Sequence, residues 1–478
     1  MCKMKIVFPV SKKFYYDVSR KIFNNKKSVV YFIHDNTFDK CNIQGEVLET
    51  KKFYRFNEFS KIKVSKKLRK KYILDKKYEK YEKYFTKVYD RTAYIKRSNK
   101  FKRLLFFKQC IYFNNYLKSN KIKCAFFSAT PHMGWSIPFF YACKKNKIKT
   151  IISHITDIPS FCLLRESWEN NKFLKIKNYN IKYYEKIIKN NLLNTSLWTK
   201  KIRDRFVKSN FLTDHLKFWK FFFQKVLFCN NSEIVDSCFF YDEKISKVQK
   251  LVYFLKFYFH TVLLNIKYFK HSKNTDFKKD YVYFALHYQP ERTTIPESFF
   301  YGDQFAAIKK LRLILPKNIT IIVKEHPVQL LLWHPRPSQI KYRSLDFYKK
   351  LKQLKNVQLS KISEDSEKLI EKSKLVVTMT GSTGWEGLKK NKKVIVFGYP
   401  WYSRHPNCYI FNQLNKKKIL SILNNSPGSM KNYNFLKQMK KYFFQSWIAD
   451  HVTKSTEYKN LVINTSKVFK TIFRSSSI

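Results

Sequence analysis

Acidic residues are the first scarcity. The 478-residue chain carries 34 Asp and Glu against 96 Lys and Arg, a formal net charge of +62. An excess of this size favours polyanionic partners: nucleic acid, acidic lipid, nucleotide phosphates or acidic glycans. Arginine is scarce too, at 15 of the 96 basic residues. Arginine contacts phosphates and base edges bidentately, so its shortage counts against a nucleic-acid-binding protein. Glycine (8) and proline (13) are few, while Lys, Asn, Ile, Phe and Tyr crowd the chain. The favoured residues share A/T-rich codons, so base composition explains part of the lysine excess. The remainder still favours an anionic partner or surface.

Paired cysteines are missing. Cys2, Cys41, Cys110, Cys124, Cys143, Cys162, Cys229, Cys238 and Cys408 form no Cys-x-x-Cys pair and no zinc-like spacing with histidine. An odd, unpaired set fits free thiols in a reducing compartment, the cytoplasm. Long apolar runs are missing as well. No window approaches the ~20 apolar residues that a membrane span needs, and the N-terminal MCKMKIVFPV shows no signal-like apolar region. The nearest stretch, 251–269, is broken by Lys256, His260, Asn265 and Lys267. What is present is 44% hydrophobic residues, a globular composition, over a length suited to two or three domains.

Short β-branched or aromatic runs predict strands over 6–10, 28–34, 124–128 and 150–154. Helical spacing marks 51–121 and 133–145. Strand, helix, strand in that order is a βαβ unit and implies a parallel sheet. Residues 165–275 are dense in Lys, Phe, Tyr and Trp and predict helices; Leu251, Leu255, Tyr258, Val262 and Phe269 can share one helical face. That face either packs on a core or lies on an anionic membrane with its lysines reaching the headgroups. A second α/β pattern has strands over 281–286, 319–323, 375–379 and 394–397, with helices over 304–315 and 366–372. The tail reads as helical, without strand signals. The expected organisation is an α/β domain over 1–275 that includes the basic helical stretch 165–275, a second α/β domain over 276–430, and C-terminal helices over 431–478. Ligands of such sheets sit beyond the carboxyl ends of the strands.

Three motifs fall there. TMTGSTGWE (378–386) follows a strand and opens a helical stretch. Gly381 and Gly384 let backbone N–H groups approach an anion, and the helix N-terminus adds its dipole. The hydroxyls of Ser382 and Thr383 can donate to a phosphate or carboxylate, and Glu386 can accept from a ribose diol. Thr383 and Glu386 equally have the spacing of a capping box, so a plain helix start stays open. KEHP (324–327) follows the strand over 319–323; His326, held before a proline and beside Lys324, can donate to a phosphate or a sugar carboxylate. Two more His-Pro pairs, 334–335 and 405–406, show how little the dipeptide alone says. HYQPE (287–291) follows the strand over 281–286. His287 and Gln289 suit polar sugar groups and Glu291 can serve as acid/base or nucleophile; the alternative is a solvated turn. In the first half, His132 ends one strand and His154 and Asp157 another. His132 is a candidate base for an acceptor hydroxyl, with Asp157 lining the same side of a cleft. Polar clusters at strand ends in both halves favour a site between two domains.

VVTMTGSTGWEGLKKNKKVIVFGYPWY (376–402), with KEHP upstream, resembles the capsule polysaccharide biosynthesis family, which includes the bacterial Kdo transferases of capsule lipid linkers. The family's Lys-x-His-Pro element falls on Lys324, His326 and Pro327; its Thr-rich glycine element on 378–388; its Gly-x-Pro-x-Tyr element on Gly398, Pro400 and Tyr402. ALHYQPERTT and TPHMGWSIPFFYACKKNKIKT are similar to further family segments. The resemblance implies a GT-B architecture: two Rossmann-like domains facing a cleft, the second holding a sugar nucleotide, often a CMP-activated acid sugar. It implies no bound cofactor or metal, in line with the lack of an Asp-x-Asp motif. By the resemblance His326 contacts the donor phosphate or carboxylate, Ser382 and Thr383 hold the phosphate, and Glu386 meets the nucleotide. Two departures bear on the donor. Kdo-transferring relatives carry Gln-x-Glu-Asp-Asp where this chain has Gln289-Pro290-Glu291-Arg292-Thr293, which leaves Glu291 as the remaining carboxylate. They carry Gly-Trp-Gly where this chain has Ser403-Arg404-His405-Pro406. Kdo as donor and a double displacement are thereby in question.

The expectation is a cytoplasmic glycosyltransferase, peripheral on the inner membrane face. It would move a sugar from a nucleotide-activated donor to a surface or capsular polysaccharide or its lipid-linked precursor. Two readings compete: a nucleic-acid-binding protein, whose 18% aromatic residues can stack on bases, and an epimerase-like hydrolase of nucleotide sugars.

Overall fold

A computed structural model describes residues 5–10, 13–23, 29–33, 46–50, 53, 56–92, 97–158, 161–176, 184–194, 211–224, 246–332, 339–428, 430–446 and 455–474. They fall into two compact units. One takes the described parts of Met1–Ile188 and Leu436–Ile478, the other those of Lys189–Cys238 and Lys244–Phe435.

The first unit holds a seven-stranded sheet in the order β14-β6-β5-β4-β1-β2-β3. Its strands are β1 (Lys5–Val10), β2 (Val29–Ile33), β3 (Glu46–Glu49), β4 (Ile122–Phe127), β5 (Lys149–Ile155), β6 (Phe161–Arg165) and β14 (Phe443–Gln445). Strands β1 to β5 pair in parallel, while β6 runs antiparallel to both β5 and β14. Alternation along the strands sends Phe8, Tyr31 and Phe126 to one face, where they meet Phe469 and Phe473 of the helix Ser455–Arg474. Phe32 and Phe127 point to the other face, against Phe139 of the helix Ser136–Lys145 at 5.0 and 5.6 Å between ring centroids. The helix Asn99–Ser119 beside it starts where Ser98 accepts from the Phe101 N–H.

The second unit holds seven parallel strands in the order β13-β12-β11-β8-β9-β10-β7. They are β7 (Ser272–Lys273), β8 (Tyr281–Ala285), β9 (Thr320–Lys324), β10 (Val357–Ser360), β11 (Leu375–Thr378), β12 (Lys393–Val396) and β13 (Cys408–Ile410). From β8 onward this is the doubly wound dinucleotide-fold order 3-2-1-4-5-6, with β7 added at one edge. Val282, Phe284, Ile321, Val323 and Val377 face a core shared with the helix Gln304–Ile314. The helix Ser382–Lys389 lies on the opposite face. A Cβ at Gly387 would sit 3.1 Å from Val376 and 3.2 Å from Val394, so glycine there allows the close approach of helix and sheet.

Two α/β units with parallel-dominated sheets are what the motifs implied, but the division differs from the expected boundaries. The helix Lys247–His271 belongs to the second unit, because Leu264 and Tyr268 enter its core. The tail is not purely helical: β14 joins the first sheet, and Phe444 and Phe469 close that core. A three-residue strand carries no readable period, which is why the tail lacked a strand signal. The helical face named from spacing is not the buried one either. Leu251, Leu255, Tyr258 and Val262 are half-buried and Phe269 is exposed, whereas Phe254, Phe257, Thr261, Leu264 and Tyr268 are buried. The described cysteines, Cys110, Cys124, Cys143, Cys162 and Cys408, are buried free thiols. His334-Pro335 lies outside the described residues.

Candidate active site at the switch point of the second sheet

Strand order fixes where a ligand of the second unit belongs. From β8 the chain turns to β9 and β10 on one side, and β11, β12 and β13 lie on the other. Between β8 and β11 the order reverses, and in an open α/β sheet a crevice opens there beyond the strands' carboxyl ends. The segments that follow β8 and β11 are His287 to Glu291 and Met379 to Thr383.

They are joined by hydrogen bonds. Thr293 Oγ1 donates to Glu291 Oε2 at 3.0 Å. A hydroxyl has one proton to give, so Thr293 Oγ1 accepts from His287 Nδ1, 3.2 Å away. His287 Nε2 is then the acceptor for the Thr378 hydroxyl at 2.8 Å. The result is a directed relay from β11 to a half-buried carboxylate. It needs a neutral imidazole. Burial pushes His287 down to about 3, and electrostatic contributions from the neighbouring His326 and Arg343 act the same way.

Gly381 makes the junction possible. A Cβ there would stand 2.7 Å from His287 Cε1 and 2.8 Å from Nε2. Gly381 is also the N-cap of the helix Ser382–Lys389, extended at φ −87° and ψ 172°, and as a glycine it has no side chain with which to cap that end. The capping box that Thr383 and Glu386 could have formed is therefore not the reason for their spacing: the helix begins at Ser382, with Thr383 already inside it. Ser382 and Thr383 lie in the first turn, where unpaired backbone N–H groups and the dipole favour an anion. Tyr402 donates its hydroxyl to the Gly381 carbonyl, and Gly384 leaves room for it, since a Cβ there would fall 2.2 Å from that hydroxyl.

A buried scaffold holds the loop after β8. Gln304 clamps His287, accepting from its N–H at 2.9 Å and donating to its carbonyl at 3.1 Å. Arg343 Nη2 donates to the same carbonyl at 3.1 Å. Its guanidinium forks onto Glu325, Nε to Oε2 at 2.6 Å and Nη2 to Oε1 at 3.2 Å, and both side chains are essentially inaccessible. Tyr348 donates to Glu325 Oε2 at 2.8 Å and the His326 N–H to Oε1 at 2.8 Å. One ion pair thus fixes the loops after both β8 and β9.

His326 sits in the second of those loops, its ring 6.0 Å from that of Tyr288. Burial lowers its proton affinity, opposed by the carboxylates of Glu291 and Glu325. Among the described residues its buried Nδ1 has no hydrogen-bond partner, and neither has Gln329 Nε2 on the next turn. Two buried polar atoms without protein partners on one loop call for a ligand or a water.

The remaining candidates have other partners. Lys324 Nζ donates to Ser366 Oγ at 3.0 Å and to the Glu364 carbonyl, and burial lowers it to about 8. Gln289 is buried; its Nε2 donates to the Gly302 carbonyl at 3.1 Å, and its Oε1 lies 3.2 Å from the Thr294 hydroxyl, which is closer to the Glu291 carbonyl at 2.8 Å. Glu386 is buried and pairs with Lys389 at 2.8 Å. His132 and Asp157 are in the first unit, beyond the carboxyl ends of the adjacent strands β4 and β5. His132 Nδ1 is 2.6 Å from the Thr130 carbonyl, an acceptor only, so Nδ1 carries a proton and Nε2 is the basic end.

Residues 307–406 match the family model of the capsule polysaccharide biosynthesis protein. The match bears out the resemblance read from the motifs, and the matched segment contains β9, β11, His326, Gly381 and the helix that follows. A search of the curated proteins finds no match. Solved structures give distant likenesses. The β-Kdo 2,7 transferase of Thermosulfurimonas dismutans KpsC is 11% identical at a TM-score of 0.29, covering 74% of this chain and 88% of its own. UDP-GlcNAc 2-epimerase from Methanocaldococcus jannaschii is 12% identical at 0.25, covering 90% and 95%. The S. aureus MnaA–UDP co-structure is 11% identical at 0.22, covering 98% and 91%.

The motifs included Thr293 and Thr378 without giving either a role, and they left out Gln304 and Arg343. Arg343 had one usable signal: it is among just 15 arginines in a chain that otherwise uses lysine.

Proposed function

We propose that the chain is a glycosyltransferase of capsular or surface polysaccharide synthesis that moves a sugar from a nucleotide-activated donor to a growing glycan or its lipid-linked precursor. The observation that carries this reading is the meeting, at a sheet switch point, of a helix N-terminus without a side-chain cap and a relay that ends in a carboxylate. The first suits the donor's phosphates, the second an acceptor hydroxyl. In transfer, the acceptor oxygen bonds to the anomeric carbon as the bond from that carbon to the donor phosphate oxygen breaks. The N–H groups of the first helical turn, with Ser382 and Thr383, take up the negative charge on the leaving nucleotide. Glu291 takes the acceptor's proton, while Thr293 and His287 hold its carboxylate in position. His326 donates to the phosphate or to a carboxylate on the sugar. Lys324, Gln289 and Glu386 serve by shaping the loops around the donor. His132 and Asp157 are the acceptor-side candidates in the first unit.

Product analysis by mass spectrometry tests this, using CMP-, UDP- and GDP-sugars with and without an oligosaccharide acceptor. CMP-linked acid sugars come first, on the strength of the family resemblance. Sugar appearing on the acceptor supports the proposal, and Glu291→Gln should lower turnover by roughly 10²–10⁴. Sugar released without acceptor would make the chain a nucleotide-sugar hydrolase. No turnover, with oligonucleotide binding that falls steeply with salt, would favour the nucleic-acid reading.

A further inference from the structure

The helix Lys247–His271 is apolar on two faces. It starts at a capping box, in which Ser246 accepts from the Gln249 N–H and the Gln249 side chain accepts from the Ser246 N–H. Its buried row, Phe254, Phe257, Thr261, Leu264 and Tyr268, follows three- and four-residue steps and accounts for the packing of the helix on the second unit. A surface helix of this kind should be polar on its outer side. Instead Val248, Val252, Phe259, Leu263, Ile266 and Phe269 are 42% to 67% exposed. At 100° per residue they fall within about a third of the helix circumference, and the stripe runs for about 31 Å. Monomeric proteins seldom leave such a stripe uncovered.

Charge indicates what covers it. The helix has no acidic residue along its 25 positions. Lys256 is exposed beside the stripe, Lys270 is exposed at its C-terminal end, and Lys267, also beside it, is half-exposed. At its C-terminal end His271 is disfavoured as a cation, chiefly by burial and then by the ammonium groups of Lys352, Lys270, Lys267 and Lys349. A second copy of this face would bring the same lysines together and be repelled. A surface apolar within and anionic at its rim suits both features. The lysines that border the stripe also keep the helix from crossing a bilayer, and among the described residues no helix is long and apolar enough to do so.

We propose that the outer face of the helix Lys247–His271 docks on an anionic lipid bilayer, the helix lying in the interface plane with Phe259, Leu263 and Ile266 in the acyl boundary and Lys256, Lys267 and Lys270 at the headgroups. This rests on the helix alone and not on the reaction proposed above, which transfer to a soluble acceptor tests separately.

Co-sedimentation of the full chain with phosphatidylcholine vesicles, with and without about a third phosphatidylglycerol, at ~150 mM salt, is the test. Binding to the anionic vesicles only is expected. Phe259→Ser/Ile266→Ser/Phe269→Ser should weaken it at least tenfold with an unchanged melting temperature, since these side chains are outside the core. Lys256→Glu/Lys267→Glu/Lys270→Glu should weaken it similarly. A Phe259→Trp variant should show a blue-shifted emission on binding. No binding to anionic vesicles overturns the proposal. So does unchanged binding by the apolar triple variant, which would assign the attraction to diffuse charge. A dimer in sedimentation velocity that the apolar triple variant abolishes would make the stripe a contact between copies, and also overturns it.

Discussion

Replacing Arg343 by methionine should destabilise the second unit by about 3–5 kcal/mol, the usual result of stranding one partner of a buried ion pair. The guanidinium is 1% and the Glu325 side chain 0% exposed, and the two are joined by bonds of 2.6 and 3.2 Å. With the guanidinium gone, the donors left to Glu325 among the described residues are the Tyr348 hydroxyl and the His326 N–H, both at 2.8 Å. Two neutral donors do not offset a desolvated charge. Each kcal/mol lowers the melting temperature of a unit of this size by about 2–4 °C, so a fall of roughly 6–20 °C in its transition is expected. Glu325→Leu alone should be comparably costly. The double variant Arg343→Met/Glu325→Leu removes both charges together and should recover at least ~2 kcal/mol relative to the sum of the single changes. Scanning calorimetry on the four proteins measures this. If Arg343→Met melts within ~1 kcal/mol of the parent, or the two changes add, the loops after β8 and β9 are not held by a buried pair.

Three further outcomes follow from the same geometry. Gly381→Ala places a methyl group 2.7–2.8 Å from the His287 ring; it should cost ~1–3 kcal/mol as overpacking and weaken nucleotide binding at temperatures where the variant is still folded. Equal nucleotide binding by this variant would detach the relay from the ligand site. Acid should destabilise the fold through His287 and His405, which burial lowers from 6.5 to about 3 and about 4. Between those values and pH 6.5 the unfolded chain binds more protons, so stability present above pH 6.5 is lost as pH falls, by up to ~1.4 kcal/mol per pH unit for each histidine. In denaturation curves from pH 7 to 4.5, His287→Gln should show a shallower decline; an unchanged slope would mean that the ring is not buried neutral. Tyr402→Phe removes the donor to the Gly381 carbonyl and should cost about 1 kcal/mol, while easing the clash made by Gly384→Ala in the double variant.

Much of the second unit was legible because its strands are uniform apolar runs and its scarce glycines stand where backbone must come close. Gly381 against His287 and Gly384 against Tyr402 are both close approaches of that kind. Strand order was not legible. It comes from pairings between residues far apart in the chain, such as Val376 with Tyr283 and Cys124 with Lys149. The relay was half legible: His287 and Glu291 stood out by type and place, whereas Thr293 and Thr378 are ordinary threonines until β8 and β11 lie side by side. Lys324, Gln289 and Glu386 read as ligand groups from their chemistry, but burial turns their polar atoms to Ser366, Gly302 and Lys389. Side-chain direction at a strand end is set by the packing around it, which spacing does not encode.

The proposed function requires the switch point between β8 and β11 to hold the nucleotide of an activated sugar. Thermal unfolding with CMP, UDP, GDP and ADP at ~150 mM salt, on the parent and on Gly381→Ala and His326→Ala, measures whether it does. One nucleotide should raise the melting temperature selectively, and the rise should shrink or vanish in both variants. No rise with any nucleotide, or a rise that both variants keep, would contradict it.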